Sequence, residues 1–338
     1  MRLSTTLPYG GDAREAVQLG RRAESLGFDM LWVPEVYTFD AVSLLGALAE
    51  STSTIGLGTA ILPLYSRTPT LIAMTAAGLD ALSAGRFVLG LGASGPQVIE
   101  GWHGVAYDHP LGRTRETVEI CRKVWRREIL THDGPIHPLP LPDGIGLPLK
   151  LINRPVRPRI PIHLAALGSR NVALAAEIAE GWLPAFFDPE RSDEVWGTDL
   201  AEGLGRRDPE MGPLEITAGC HAAVCARDEV DRLRASARER TALYVGGMGA
   251  PGRNFYNDLF ARYGYEEQAR RIQQLYLSGR KEEAAEAVPD EYLDRVHLIG
   301  EAAFVADRLA AYRAAGVTML DVTLVGPEPE RTLEVLRS

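Results

Sequence analysis

The sequence predicts an α/β chain that forms a single (β/α)8 barrel, the TIM-barrel architecture, and three observations carry this. Short apolar runs of strand length recur eight times, most of them followed by a helical pattern. Near-continuous apolar strands alternating with amphipathic helices describe a parallel sheet whose faces are covered. A helix–Gly–strand junction is written four times, at Leu26-Gly27-Phe28, Ala84-Gly85-Arg86, Glu180-Gly181-Trp182 and Ala315-Gly316-Val317. Finally, 338 residues is long for an ordinary domain but normal for an α/β barrel. Eight units over that length favour a closed barrel over an open doubly wound sheet.

The elements follow in order. Leu3–Leu7 is the first strand. Asp12 caps the first helix, with Glu15 three residues on as the partner of a capping box. Ala16, Leu19, Ala23 and Leu26 recur at helical spacing, and Gly27 ends the helix. Phe28–Val33 is the second strand and runs into Pro34 and Glu35. The third to eighth strands are read at Ile55–Leu62, Phe87–Leu91, Ile160–Ala165, Trp182-Leu183, Glu215–Cys225 and Val317–Leu320. Two segments break the alternation. Residues 131–159 are proline-rich and poor in helix formers, and residues 247–298 hold a glycine-rich loop followed by helical segments such as Glu266–Leu277. Barrel units continue after both, so residues 1–338 are read as one domain with two insertions outside the barrel. Insertions of this kind cover a pocket or build a subunit interface.

Composition narrows the class. Hydrophobic content of 46% with 24% charged residues is globular. A net charge of −9 argues against a nucleic-acid or anionic-membrane surface. No window approaches a membrane-spanning apolar run, and the N-terminal stretch lacks the apolar region of a signal peptide, so a cytoplasmic chain is expected. Cys121, Cys220 and Cys225 are odd in number and form no CxxC pair, which fits reduced, buried thiols. Cys220 and His221 are adjacent on a strand and face opposite ways, so no shared metal is expected.

The stretch Arg86–Gly104, RFVLGLGASGPQVIEGWHG, carries the most chemistry. An apolar strand passes into glycines at 90, 92 and 95, where the backbone can come close to a ligand. Gln97, Glu100, Trp102 and His103 follow at short spacing. A strand, then glycines, then polar and aromatic groups is what the mouth of an α/β active site requires. Glycine spacing alone fits a tight strand-to-helix turn equally well. Glu35, at the C-terminal end of the second strand, faces the same mouth.

Those residues resemble the bacterial luciferase-like superfamily. They are closest to its actinobacterial branch of deazaflavin (coenzyme F420)-dependent oxidoreductases, in which a strand followed by SGPQV-x-E-GWHG recurs. LWVPEVYTFDAVSLLG at 31–46, LGTAILPLYSRTP at 57–69, AALGSRNVALAAEIAEGW at 165–182 and GGMGAPGRNFYNDLFARYGY at 246–265 agree with it. The resemblance implies a (β/α)8 fold, a homodimer, a small-molecule substrate, and hydride transfer between coenzyme F420 and that substrate. It places the cofactor against Glu35; against Ala60 and Ile61, joined by a cis peptide behind the ring; and against Gly92, Ala93 and Ser94. It places the phosphodiester on Ala165, Ala166, Leu167, Gly168 and Ser169, where N–H groups of a helix start near Asn171 attract an anion and Ser169 can cap. Glu35 and His103 are the leading acid–base candidates, with Glu100 a third if burial raises its pKa. Arg67 and Trp102 are assigned to the substrate pocket, although Arg67 serves equally as a cap for the next helix. Val36 and Asp40 stand where glucose-6-phosphate dehydrogenases of the family carry His and Trp, so that sugar-phosphate mechanism does not transfer. Two other readings compete: an FMN-dependent monooxygenase fed by a separate flavin reductase, and a non-catalytic deazaflavin-binding protein.

Overall fold

The structure, a computed structural model, describes all 338 residues. Ten parallel-paired strands appear in chain order: β1 Arg2–Thr6, β2 Met30–Val33, β3 Gly56–Thr59, β4 Leu62–Pro63, β5 Phe87–Gly92, β6 Ile162–Ala165, β7 Gly181–Leu183, β8 Glu215–Val224, β9 Leu298–Gly300 and β10 Met319–Leu324. Eight of them close a barrel in the order β1-β2-β3-β5-β6-β7-β8-β10, since β10 pairs with both β8 and β1. The predicted barrel is therefore present, with all eight expected strands in it.

Two short strands lie off the ring. The third expected strand, Ile55–Leu62, is interrupted at Ala60–Ile61, whose peptide is cis. Before the break Gly58 pairs with Val88, and after it Leu62 pairs with Leu91. Four residues on one strand thus oppose three on the other, which is the geometry of a bulge. Strand β9 pairs with the outer part of β8 at Ala222–Val224; three residues are too few to carry a period in sequence.

Most of the core lies between strands and helices, where apolar side chains on the outward strand faces meet the helices. The barrel interior is smaller: Met30, Trp32 and Met319 are buried there, with Ala60, Val88 and Leu183 packed against them. Glycines permit the close approach of side chain and backbone here. A Cβ on Gly58 would fall 2.4 Å from the Trp32 ring, and one on Gly90 would fall 1.7 Å from the Thr59 carbonyl oxygen. The N-terminal end of the barrel is plugged by Glu215, which bonds Arg2 at 2.6 Å and lies 3.4 Å from His163 Nε2. The His163 hydrogen bond and the Arg2 charge outweigh burial and hold the Glu215 carboxyl down at about 2.

Residues 131–159 contain a single antiparallel bridge, His132–Leu139, and no helix. The segment is fastened to the barrel helices by charge. Glu116 accepts the His137 N–H at 2.7 Å, and Arg157 forks onto the fully buried carboxylate of Asp80. Leading into the second segment, a π-helical turn, Leu243–Gly247, extends helix Val230–Ala242. Helices Phe255–Phe260, Glu266–Leu277, Lys281–Glu286 and Asp290–Val296 come after it.

Candidate active site

The C-terminal ends of β3, β5 and β6 meet around one small floor. A Cβ on Gly92 would fall 2.5 Å from Ile61 Cδ1 and 3.3 Å from Ala165 Cβ, so Ile61, Gly92 and Ala165 are mutual neighbours. Ala60 joins them from the barrel interior. Thr59 ties the two strands beneath: its hydroxyl donates to the Gly90 carbonyl at 2.7 Å and accepts the Gly90 N–H at 2.9 Å. Ala93 and Ser94 continue the chain outward. Ser94 holds a positive φ of 58°, and its carbonyl accepts the Tyr107 hydroxyl at 3.2 Å. Gly92, Ala93, Ala165, Ala166, Thr114, Leu164 and Asn171 enclose a void of about 10 Å³.

Beyond Ala165 the chain turns through Ala166 and Leu167, whose carbonyls are taken by the indole N–H groups of Trp182 and Trp196. Helix Ser169–Ile178 then begins two residues earlier than expected. Its N-cap is Gly168, and no side chain caps it, so Ser169 lies inside the first turn and is not the cap. No atom comes within 4 Å of where a Gly168 Cβ would stand. The Asn171 and Val172 N–H groups turn back to the Gly168 carbonyl at 2.9 and 3.0 Å, which leaves those of Ser169 and Arg170 as the donors that could attract an anion.

Glu35 and Arg67 are brought together. Arg67 Nη1 meets Glu35 Oε1 at 2.5 Å and Nη2 meets Oε2 at 2.9 Å. Oε2 also accepts the Ala41 N–H at 2.8 Å, at the start of helix Ala41–Ser51, where Asp40 is the N-cap. Arg67 is thus neither free nor a helix cap, because Thr68 caps helix Pro69–Leu82.

The GWHG segment is less uniform. His103 is half-buried, and its Nε2 is shut away from water without a hydrogen-bond partner. Such an atom awaits a partner, because leaving it unpaired costs about 1–3 kcal/mol. Glu100 is exposed and accepts the Tyr107 N–H at 3.2 Å. Trp102 is 65% exposed, 6.2 Å from the Tyr37 ring.

The structure adds groups that sequence reasoning did not single out. Tyr9, just past β1, meets Tyr244 hydroxyl to hydroxyl at 3.0 Å. Tyr244 crosses Tyr256 at 4.8 Å between ring centres, and Phe186, just past β7, packs on both. Burial pushes the Tyr244 and Tyr256 hydroxyls well above the usual tyrosine range. The signal for Tyr244 and Tyr256 was their place beside the glycines of the second insertion, which nothing in the sequence aims at the barrel.

Comparison with known proteins agrees with this geometry. The family model described as luciferase-like monooxygenase matches residues 1–319. The chain is 42% identical over 343 residues, covering 99% of each chain, to a Mycobacterium tuberculosis protein named provisionally as a coenzyme F420-dependent oxidoreductase. It is 28% identical over 321 residues to the 5,10-methylenetetrahydromethanopterin reductase of Archaeoglobus fulgidus, covering 93% of this chain and 91% of that one. Among solved structures, the coenzyme F420-dependent tetrahydromethanopterin reductase of Methanopyrus kandleri superposes with a TM-score of 0.80 at 22% identity, covering 99% and 96%. The matches run the length of the barrel, and the chain belongs to the luciferase-like family.

Proposed function

We propose that this protein is an oxidoreductase that moves a hydride between C5 of coenzyme F420 and an organic substrate. The observation that carries the reading is the uncapped start of helix Ser169–Ile178, open at Gly168 and beside the floor of Ile61, Gly92 and Ala165. That cradle suits a phosphodiester joined to a flat ring. The 42% identity to a protein provisionally named for this cofactor supports the same reading. When bound, the deazaflavin supplies the hydride chemistry that no side chain here can perform.

The chain's own residues orient, bind and supply a proton. Ala60, Ile61 and Gly92 form a low apolar floor. The N–H groups at Ser169 hold the phosphate, with Ala166, Leu167 and Gly168 shaping the loop. His103 is the proton donor, since its Nε2 is buried and unpartnered. Glu35 fixes the mouth instead of donating a proton, because both of its oxygens are engaged. Glu100 and Ser94 hold the Tyr107 loop.

The chain acts as a homodimer in the cytoplasm. Support for the dimer comes from exposed Leu71, Met74 and Leu82 on one helix, with Ile145, Leu147 and Ile152 on the 131–159 segment. Three buried, unpaired cysteines suit a reducing compartment. No helix is long and apolar enough to cross a membrane.

Anaerobic titration with coenzyme F420, and separately with FMN, tests the reading. Tight binding of F420, followed by its reoxidation on unsaturated or carbonyl compounds, is expected. Tight FMN binding without F420 binding turns the reading into a monooxygenase, in line with the family's name. F420 binding with no substrate found in such a screen leaves a binding protein.

A further inference from the structure

Helix Val230–Ala242 carries four arginines, and three are paired. Arg232 pairs with Glu229, Arg234 with Asp294 and Arg238 with Asp290. Arg240 forms no ion pair and no side-chain hydrogen bond. Its guanidinium carbon lies 5.7 Å from the centre of the Tyr244 ring. Stacking of this kind fixes a guanidinium without using its N–H donors.

The surroundings put Arg240 at the barrel mouth. Tyr244 touches Tyr9 at the end of β1, and Phe186 at the end of β7 packs on Tyr244 and Tyr256. Ser236, one turn before Arg240, lies 3.3 Å from Nδ1 of His221 on β8. The Arg240 charge reaches His221, Tyr256 and Asp321 of β10. Asp321 is not its counter-ion, because that carboxylate is taken by the hydroxyls of Ser4 at 3.0 Å and Thr6 at 2.7 Å.

We propose that Arg240 receives the carboxylate of the substrate, whose apolar body lies against Phe186, Tyr244 and Tyr256. This names the substrate class of the proposed reaction as organic acids with a flat or apolar body, and it rests on the barrel mouth being the reaction site. A guanidinium offers parallel donors that match a carboxylate in two-point contact. A lone cation beside three aromatic rings suits a singly charged acid and not a phosphate dianion.

Benzoate and its uncharged analogue benzamide are the probes, titrated into the purified full chain by calorimetry with and without coenzyme F420. Wild type is expected to bind benzoate more tightly than benzamide. Arg240→Gln is expected to lose about tenfold or more in benzoate affinity, the worth of a charge-assisted contact. Arg240→Lys should regain part of it, and benzamide binding should not change. The residue is exposed, so Arg240→Gln should melt like wild type and bind F420 as tightly. Equal affinities of wild type for the two probes, or unchanged benzoate affinity in Arg240→Gln, would overturn the proposal. Failure of wild type to bind F420 would instead strike the cofactor reading, leaving the benzoate comparison on the apo chain to decide this one.

Discussion

Glu35 and Arg67 stand 32 positions apart in the chain and close a two-point ion pair between neighbouring loops. Their side chains are only 7% and 15% exposed, and the third contact of Glu35, to the Ala41 N–H, anchors a helix start. The pair joins the loop after β2 to the turn after β4. Its position explains why a carboxylate at a strand end here is a strut and not a free acid.

Removing one partner should therefore cost stability before it costs chemistry. Glu35→Gln and Arg67→Met are each expected to lower the unfolding free energy by about 2–4 kcal/mol, since each leaves a shielded charge uncompensated. The double variant should lose less than the sum, with a coupling of about 1–3 kcal/mol. Urea denaturation of all four proteins measures this cycle. A Glu35→Gln protein that unfolds like wild type yet loses kcat would return Glu35 to the role of proton donor.

How much of this was legible depended on the range of the interaction. Strands such as Phe87–Gly92 announce themselves because burial on both faces demands a continuous apolar run. The floor residues Ile61, Gly92 and Ala165 were reached through likeness to relatives. Their mutual contact depends on a bulge that no local propensity encodes. Glu35 and Arg67 were each picked out, but their pairing was invisible because it is a contact between two loops. Arg240 and Tyr244 were missed for a similar reason: helical spacing tells which residues share a face, not which face tips over the barrel.

His103 offers the next test. Its buried Nε2 has no partner within the chain, which is what a group waiting for a substrate proton acceptor looks like. His103→Gln is expected to lower kcat by about 10²–10⁴, the usual worth of a positioned acid. Coenzyme F420 affinity should stay within about twofold, because the proposed phosphate contacts lie on the Ser169 helix. Single-turnover reoxidation of the reduced cofactor measures the first and fluorescence titration the second. Loss of affinity with kcat retained would make His103 a cofactor-binding residue.

Stability should fall in mild acid because of a buried histidine pair. His221 and His297 pack 5.2 Å apart, and the His221 N–H donates to His297 Nδ1 at 3.1 Å. Burial first, and then the Arg240 charge, lowers His221 from 6.5 to about 4. Burial, with His221 and Arg240 beside it, also drives His297 well down. Both pKa values are lowered in the folded state, so the unfolded chain takes up the extra protons. Stability is full above about pH 6.5 and is lost as the pH falls towards 4. For His221 alone the loss is at most about 3 kcal/mol. Urea midpoints recorded from pH 7.5 to 4.5 should show this slope, and His221→Gln should flatten it. A slope that survives in the variant would assign the acid sensitivity elsewhere.

The last prediction sets binding against stability at a single residue. Gly168 is the N-cap of the helix proposed to hold the phosphate, with φ −76° and ψ 145°, a conformation open to any residue. Space at its Cβ position is free, so Gly168→Asp introduces no clash. An aspartate there accepts the first-turn N–H groups and meets the positive end of the helix dipole. The apo protein should thus be as stable as wild type or gain a few tenths of a kcal/mol. Those same donors are the ones a phosphodiester needs, and the new carboxylate also repels it. Like charges about 4 Å apart at a partly exposed site cost up to about 4 kcal/mol, enough to move a micromolar dissociation constant towards millimolar. Thermal melting of the apo protein and F420 titration should therefore move in opposite directions. If Gly168→Asp binds F420 as well as wild type, the phosphate lies elsewhere and the Ser169 helix is only a helix.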